Sequence, residues 1–443
     1  MTADDDKSTA LRWVLTLLIG GAAVTAALLG IADPVQARAA AIGASYLTFA
    51  LSELVPAFVP TLFLLVAIPL ALRTSLGSVL SWSADPVLAL FAGGLALGVA
   101  AERHGIDRAF AALLLRLAGR SRRAQLGWVM FAGLFLSMWL SNIAAAALLL
   151  TALKPTLDRT PDLRFRRSAL LALAMSTNLG GITTPIGSGP NAIAIAETRE
   201  LHTISFLQWM GFGVPIAWGM AVVAYLWLVL RYGVAGEHEA HGIAAPEVSP
   251  RGRSVVFVLA AGIVAWLTEP LHGVAAPIVA LALMLVLFAS GLLSKADLGA
   301  LDWSTLGLIA GGLTLGRMLE HAGVLTSLAG ALPLADYPRW LWLGGLVFAS
   351  AVLSGLMSNT ATAALLIPLG LQLDGSASTA VIIAVATSFG MPFAISTPPN
   401  ALVFGTGNVR TSDLLQVGLG LMLLGCVTVT YSGAWVLHLF GLD

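Results

Sequence analysis

The sequence predicts an all-α polytopic membrane protein, with about 11 transmembrane helices and two re-entrant hairpins in an inverted repeat. Three observations carry this. Of 443 residues, 58% are hydrophobic and 10% charged, with mean hydropathy +0.90; soluble domains carry about 25% charged residues. The apolar stretches are continuous and lack the period-two alternation of a membrane β-barrel. Short motifs recur along the chain at a separation near 210–218 residues. Zero net charge argues against nucleic acid as a partner. The single cysteine, Cys426, excludes a disulfide framework and a cysteine-built metal site.

Residues 1–41 read as an N-terminal tail and a first transmembrane helix. Asp4, Asp5 and Asp6 stand where a signal peptide wants basic residues, and the apolar run from Trp13 to Ala32 is long enough to span. Further apolar segments lie near 42–56, 58–80, 86–101, 126–153, 169–196, 206–230, 254–272, 274–293, 304–319, 340–370, 377–404 and 414–440. Three basic clusters mark the expected cytoplasmic side. One holds Arg103, Arg108, Arg116, Arg120, Arg122 and Arg123; the second holds Lys154, Arg159, Arg164, Arg166 and Arg167; the third, Arg231, Arg251 and Arg253, flanks the polar loop 233–253. This places the N-terminus in the cytoplasm and the C-terminus outside, in a bacterial inner membrane.

The first two clusters bracket one apolar segment, 126–153. Both flanks prefer the same face, so the segment is expected to enter and return as a hairpin, against the alternative of a full span with a polar stripe. Ser137, Ser141 and Asn142 at its centre can take up backbone groups freed by a helix break. From Asn142 to Lys154 is roughly 18 Å of helix, half a bilayer.

The repeat gives a second hairpin. Phe91–Gly98 matches Ile309–Gly316, Glu102 matches Glu320, and Leu140–Leu149 matches Met357–Leu366. Gly187-Ser188-Gly189-Pro190-Asn191 matches Ser396-Thr397-Pro398-Pro399-Asn400. Two copies, 42–232 and 254–440, each hold five spans and one hairpin, the second near 340–370 with Asp336, Arg339 and Asp374 around it. An odd number of crossings inverts the second copy, the usual build of secondary transporters.

Four polar motifs therefore sit at mid-membrane depth: the tips Ser141-Asn142-Ile143 and Ser358-Asn359-Thr360, and the Gly/Pro breaks 180–191 and 390–400. Breaks free backbone groups, which are tolerated where they line a cavity. Carbonyls and side-chain oxygens suit Na⁺, and half-helix N-termini suit an anion. A single Ser or Asn in a membrane helix is commonly packing glue; matched pairs in both halves weigh against that. None of the motifs contains Asp, Glu, Arg or Lys. That favours Na⁺ held by neutral oxygens over a proton relay. Glu53, Glu102, Glu269 and Glu320, near span ends, read as structural anchors. His238-Glu239-Ala240-His241 lacks the i, i+4 spacing of a zincin and reads as solvated loop. No Walker motif and no catalytic constellation is present, so an ATP-driven pump and an enzyme are disfavoured.

At the paired Ser-Asn-Thr tips and Gly/Pro-Pro-Asn breaks the chain resembles the divalent anion/Na⁺ symporter family of the ion transporter superfamily, over about residues 42–440. The second-half motifs, Ser358-Asn359-Thr360-Ala361-Thr362 and Thr397-Pro398-Pro399-Asn400, are the specific ones. The resemblance implies a homodimeric carrier of di- or tricarboxylates, or of another divalent anion, coupled to Na⁺. It also implies a static scaffold domain and a transport domain moving as an elevator. It implies one Na⁺ site at Ser137, Ser141, Asn142 and Gly187, and another at Ser354, Met357, Asn359 and Ser396. Substrate would meet Asn142, Ile143, Ser188, Gly189, Ser358, Asn359, Thr360, Thr397 and Pro398. Two departures fall in the first-half subsite: Ile143 where Thr is usual, and Gly189 where Pro is usual. Na⁺ is the only ion expected and no cofactor is implied; lipid surrounds the chain. A sodium-independent exchanger, a cation/proton antiporter, a metalloid-oxyanion carrier and a channel are the alternatives.

Overall fold

The computed structural model describes residues 3–52, 54–56, 58–117, 119, 121–236, 248–331 and 337–440. Glu53, Arg120, Asp336 and the His238–His241 motif lie outside the described residues. Among those described, regular structure is helical, apart from one isolated bridge residue at Ser121. The first half runs α1 (Ala3–Gly30), α2 (Pro34–Ser52), α3 (Val59–Leu72), α4 (Leu76–Ser83), α5 (Pro86–Arg103) and α6 (Ile106–Leu117). It continues with α7 (Arg122–Ser137), α8 (Asn142–Arg159), α9 (Leu163–Gly180), α10 (Gly189–Glu197) and α11 (Phe206–Tyr232). The second half runs α12 (Pro250–Leu267), α13 (Glu269–His272), α14 (Ala276–Ala289), α15 (Lys295–Leu298), α16 (Trp303–His321) and α17 (Val324–Ala331). Then follow α18 (Arg339–Leu356), α19 (Asn359–Asp374), α20 (Ala377–Ser388), α21 (Pro398–Phe404) and α22 (Thr411–Leu439). By length and composition α5, α11, α12, α18 and α22 are able to cross a membrane. Shorter apolar helices are Thr16–Gly30, α3, α14 and α20.

Two boundaries depart from the apolar runs, and two helices fall outside them. The run 58–80 divides into α3 and α4 at Arg73, whose left-handed backbone (φ 57°) ends the first helix. Helix α2 begins at Pro34, because Asp33 accepts the otherwise unpaired N–H groups of Val35 and Gln36. Helices α6 and α17 were not anticipated; α6 mixes Asp107, Arg108 and Arg116 into its apolar residues, so a search for apolar runs passes over it.

The helix order repeats: α5, α6, the pair α7/α8, α9, α10 and α11 correspond to α16, α17, α18/α19, α20, α21 and α22. Each helix pair enters and returns. Arg122, at the start of α7, pairs with Asp162, just past the end of α8, at 2.7 Å. Arg339, at the start of α18, pairs with Asp374, the last residue of α19, at 3.0 Å. Helix α22 shows that the two mouths face opposite ends. Its first turn lies at the first mouth, where Arg167 of α9 approaches Asp413 at 3.9 Å. Its last turns lie at the second, where Trp340 stacks on Tyr431 with ring centroids 6.2 Å apart. From Asp413 to Tyr431 the helix rises about 27 Å at 1.5 Å per residue.

The halves interlock. The half-helix α10 packs against α19 and α20, and α21 packs against α8 and α9. Asn178 Nδ2 in α9 donates to Asn400 Oδ1 in α21 at 3.0 Å, tying one break to the other.

Candidate functional site

The hairpin tips and the helix breaks line one cavity of about 1400 Å³. All nine residues expected at the substrate line it: Asn142, Ile143, Ser188, Gly189, Ser358, Asn359, Thr360, Thr397 and Pro398. So do Ser141, Gly187, Met357 and Ser396 from the expected ion sites. Ser137 and Ser354 stand behind the wall, fully buried.

Each tip is built the same way. Ser137 Oγ lies 2.7 Å from Asn142 Oδ1 and 2.7 Å from the Thr177 carbonyl. Ser354 Oγ lies 2.7 Å from Asn359 Oδ1 and 2.6 Å from the Thr387 carbonyl. A hydroxyl has one proton, so in each cluster one of the two oxygen–oxygen approaches has no hydrogen in it. Either a cation beside the oxygens or a turned amide relieves that repulsion.

The breaks are wound around an asparagine. Asn191 Nδ2 donates to the carbonyls of Gly181 and Thr184, both at 2.8 Å, and its Oδ1 accepts from Ser188. Asn400 Nδ2 donates to Met391 and Phe393 carbonyls at 3.0 and 2.9 Å. These bonds satisfy carbonyls that the broken helices leave unpaired. A second strap joins break to tip: Thr184 Oγ1 donates to Met138 O at 2.6 Å, and Ser396 Oγ to Gly355 O at 2.7 Å. Gly187 is required by proximity, since a Cβ there would lie 2.5 Å from the Gly181 carbonyl.

Four helices present their N-termini to the cavity through the N-cap residues Ser141, Ser188, Ser358 and Thr397. Helix N-termini carry partial positive charge and free N–H groups, so their convergence favours an anion. The hydroxyls are committed differently. Ser141 accepts from Ala144 N at 3.3 Å and Thr397 from Asn400 N at 3.3 Å, whereas Ser358 makes no cap bond.

Among the described residues, charged side chains reach the cavity only away from the tips, as Glu102, Asp107, Arg108 and Asp302. These sit at the end of α5, in the first turn of α6 and at the start of α16, and the lining also runs along α8 to Thr151 and Ala152, toward the first mouth. Glu102 is therefore part of the vestibule. Glu269 is an anchor, accepting from Phe206 N and Ala276 N, each at 3.3 Å, and Glu320 lies 3.7 Å from Arg317.

Sequence reasoning passed over the Thr177 and Thr387 carbonyls, Asn178 and the two mouth ion pairs. Asn191 and Asn400 stood in the motifs without a role. Their signal was available: each is the third residue of its half-helix, in the same place in both copies.

Two interlocked copies of a hairpin and a broken helix, with polar tips meeting at one cavity in an apolar helical protein, are the build of a membrane transporter. The sequence profile of the citrate transporter family, CitMHS, matches residues 46–390 and 263–440. The chain belongs to that family, within the ion transporter superfamily. It is 31% identical over 379 residues to an uncharacterized transporter of Haemophilus influenzae, covering 78% of this chain and 80% of that one. It is 25% identical over 438 residues to the sodium-dependent dicarboxylate transporter SdcS of Staphylococcus aureus, covering 86% and 82%. The fold is similar to the crystal structure of the Alcanivorax borkumensis YdaH transporter, with TM-score 0.54 and 17% identity over 80% of this chain and 85% of that one.

Proposed function

We propose that the protein is a Na⁺-coupled secondary carrier of small di- or tricarboxylates, or of a related divalent anion. The observation that carries this is the matched oxygen cluster at each tip, Ser137–Asn142–Thr177 and Ser354–Asn359–Thr387, placed directly behind the N-termini of α8 and α19. A hard cation suits such neutral oxygens. A cation there would also offset the charge of an anion held by the helix ends, with no Arg or Lys at the tips. The sodium dependence and dicarboxylate named for SdcS support the same reading.

In this proposal Ser137, Ser141, Asn142 and the Gly187 backbone hold one Na⁺; Ser354, Asn359 and the backbones of Met357 and Ser396 hold another. Substrate oxygens meet Asn142, Ser188, Ser358, Asn359, Thr360 and Thr397. Residues 42–232 and 254–440 act as the two repeats, the hairpins and broken helices move as an elevator against a dimeric scaffold, and the first mouth faces the cytoplasm.

The test is uptake of radiolabelled succinate, citrate and sulfate by purified protein in liposomes, with and without an inward Na⁺ gradient. Gradient-driven accumulation of at least one carboxylate is expected. Uptake that ignores Na⁺ but requires an internal anion would replace symport by exchange.

A further inference from the structure

Inverted repeats should produce two matching contacts where the first turn of each returning hairpin helix meets the half-helix of the other copy. One of them is closed. Thr360, 8% exposed, sits in the notch left by Gly189, where an added Cβ would lie 3.0 Å from its Cγ2. The corresponding contact, between Ile143 of α8 and Pro398 of α21, is open. Helix α21 packs against α8, yet Ile143 is 48% exposed and Pro398 is exposed as well, and both line the cavity. The two departures that looked separate in sequence are thus related: each changes one of these two contacts.

At this open contact the side chains of Ile143 and Pro398 present apolar surface to the cavity. A carboxylate pushed against it would lose its water and gain no donor from either side chain. The donors lie around it, at Asn142, Ser358, Thr397 and the N-termini of the hairpin and half-helices, so a charged end is held beside this apolar surface and not on it. We infer that the apolar surface at Ile143 and Pro398 receives an apolar branch of the substrate, so that the protein selects substituted carboxylates, with an alkyl or aryl group beside the charged end, over unbranched ones. Ile143 is then the residue that determines specificity. This rests on the carboxylate-carrier reading above and narrows it.

Hydrophobic pockets discriminate a single methylene by about 10- to 200-fold, which sets the size of effect to look for. Binding of succinate, 2,2-dimethylsuccinate and phenylsuccinate to the purified full-length protein in Na⁺ would be compared by thermal-shift titration, and their transport by competition against labelled uptake in liposomes. The branched compounds are expected to bind at least tenfold more tightly than succinate. Ile143→Thr should move that ratio at least tenfold toward succinate, and Ile143→Val should keep its sense, showing that a folded variant with an apolar side chain retains the preference. Equal binding of all three, with a ratio unmoved by Ile143→Thr, overturns the apolar site and leaves the carrier reading standing. Failure of the wild-type protein to bind or move any of the three, or citrate, overturns the carrier reading and the apolar site with it.

Discussion

Ile186 and Ile395 occupy corresponding places, each just before the half-helix of its own repeat, yet their surroundings differ. Ile186 lies against Gly94 of α5, where an added Cβ would come within 2.9 Å of its Cδ1; Ile395 is 84% exposed in the cavity. One position back from each tip serine, Leu140 and Met357 are both half-buried and line the cavity; Leu140 also rests on Gly98, 3.2 Å from a Cβ placed there. Trp139 stacks on Phe206 and Trp266, whereas its counterpart Leu356 is 61% exposed. The first tip is seated on its glycines and the second is bare.

The glycines of α16 that correspond to those of α5 are occupied by residues farther along. Gly312 meets Ala364 and Ile193, and Gly316 meets Pro368 and Glu197. From Met357 to Ala364 is seven residues and to Pro368 eleven, roughly 10–16 Å of helix. The two hairpins thus stand at different depths on equivalent supports. In the elevator proposed above, exchanging the two depths would give the opposite-facing state. Ala147 and Thr151, which correspond to Ala364 and Pro368, now line the cavity across from Gly94 and Gly98. Bringing them together would close the cavity from the first-mouth side.

The largest effect should come from what the tips share. Asn142→Ala and Asn359→Ala each remove an oxygen from a buried cluster, where an under-coordinated charge costs several kcal/mol. Each variant should lose at least a hundredfold in transport while keeping a wild-type elution profile and melting temperature within a few degrees. If the seated and bare tips bind ions unequally in this state, the loss of Na⁺ affinity will differ between the two variants. Sodium titrations of each variant measure this.

A second experiment addresses the difference in depth. With Cys426 replaced by Ser, the pair Gly94→Cys with Ile186→Cys should cross-link in the arrangement seen here. The pair Gly312→Cys with Ile395→Cys should cross-link only in the exchanged one. The first link should block uptake, and substrate with Na⁺ should change the rate of both links in opposite directions. A second link that never forms under any ionic condition would remove the exchange of depths, and with it the elevator.

Most of this architecture was legible in sequence because its carriers are local. Clusters of Arg on both sides of one apolar segment imply return to the same face, and the Arg122–Asp162 pair bears that out. Ser and Asn in matched motifs placed the tips and breaks at one cavity. What sequence did not give depends on distant pairs. The glycine seats are ordinary glycines until it is known which side chain lies on them. The Gly189–Thr360 notch joins residues 171 positions apart in different repeats. Conformational state has no local signature either, since both tips have the same composition in every state.

The smallest expected effect lies at the two mouths, which differ in how their arginines are held. Among the described side chains Arg122 donates to Asp162 alone, at 2.7 Å, with the guanidinium also over the Phe165 ring at 5.6 Å. Arg339 donates to Asp374 at 3.0 Å and to Ser378 and Thr379, each at 3.0 Å, and Thr379 in turn donates to Asp374. Partly exposed ion pairs contribute about 0–1 kcal/mol, and networks more than isolated pairs. Arg339→Met should therefore destabilise the protein more than Arg122→Met, by a difference within about 1 kcal/mol, read as a shift of a few degrees at most in the detergent-solubilised melting temperature. Salt sharpens the comparison. Both pairs are partly exposed, so 0.5 M NaCl should shrink both losses, but the three hydroxyl-linked bonds around Arg339 pair a charge with a neutral hydroxyl, are screened less than an ion pair, and should preserve part of its effect. Equal losses that vanish together in salt would mean that the mouths are closed by charge alone and that the surrounding hydroxyls add nothing.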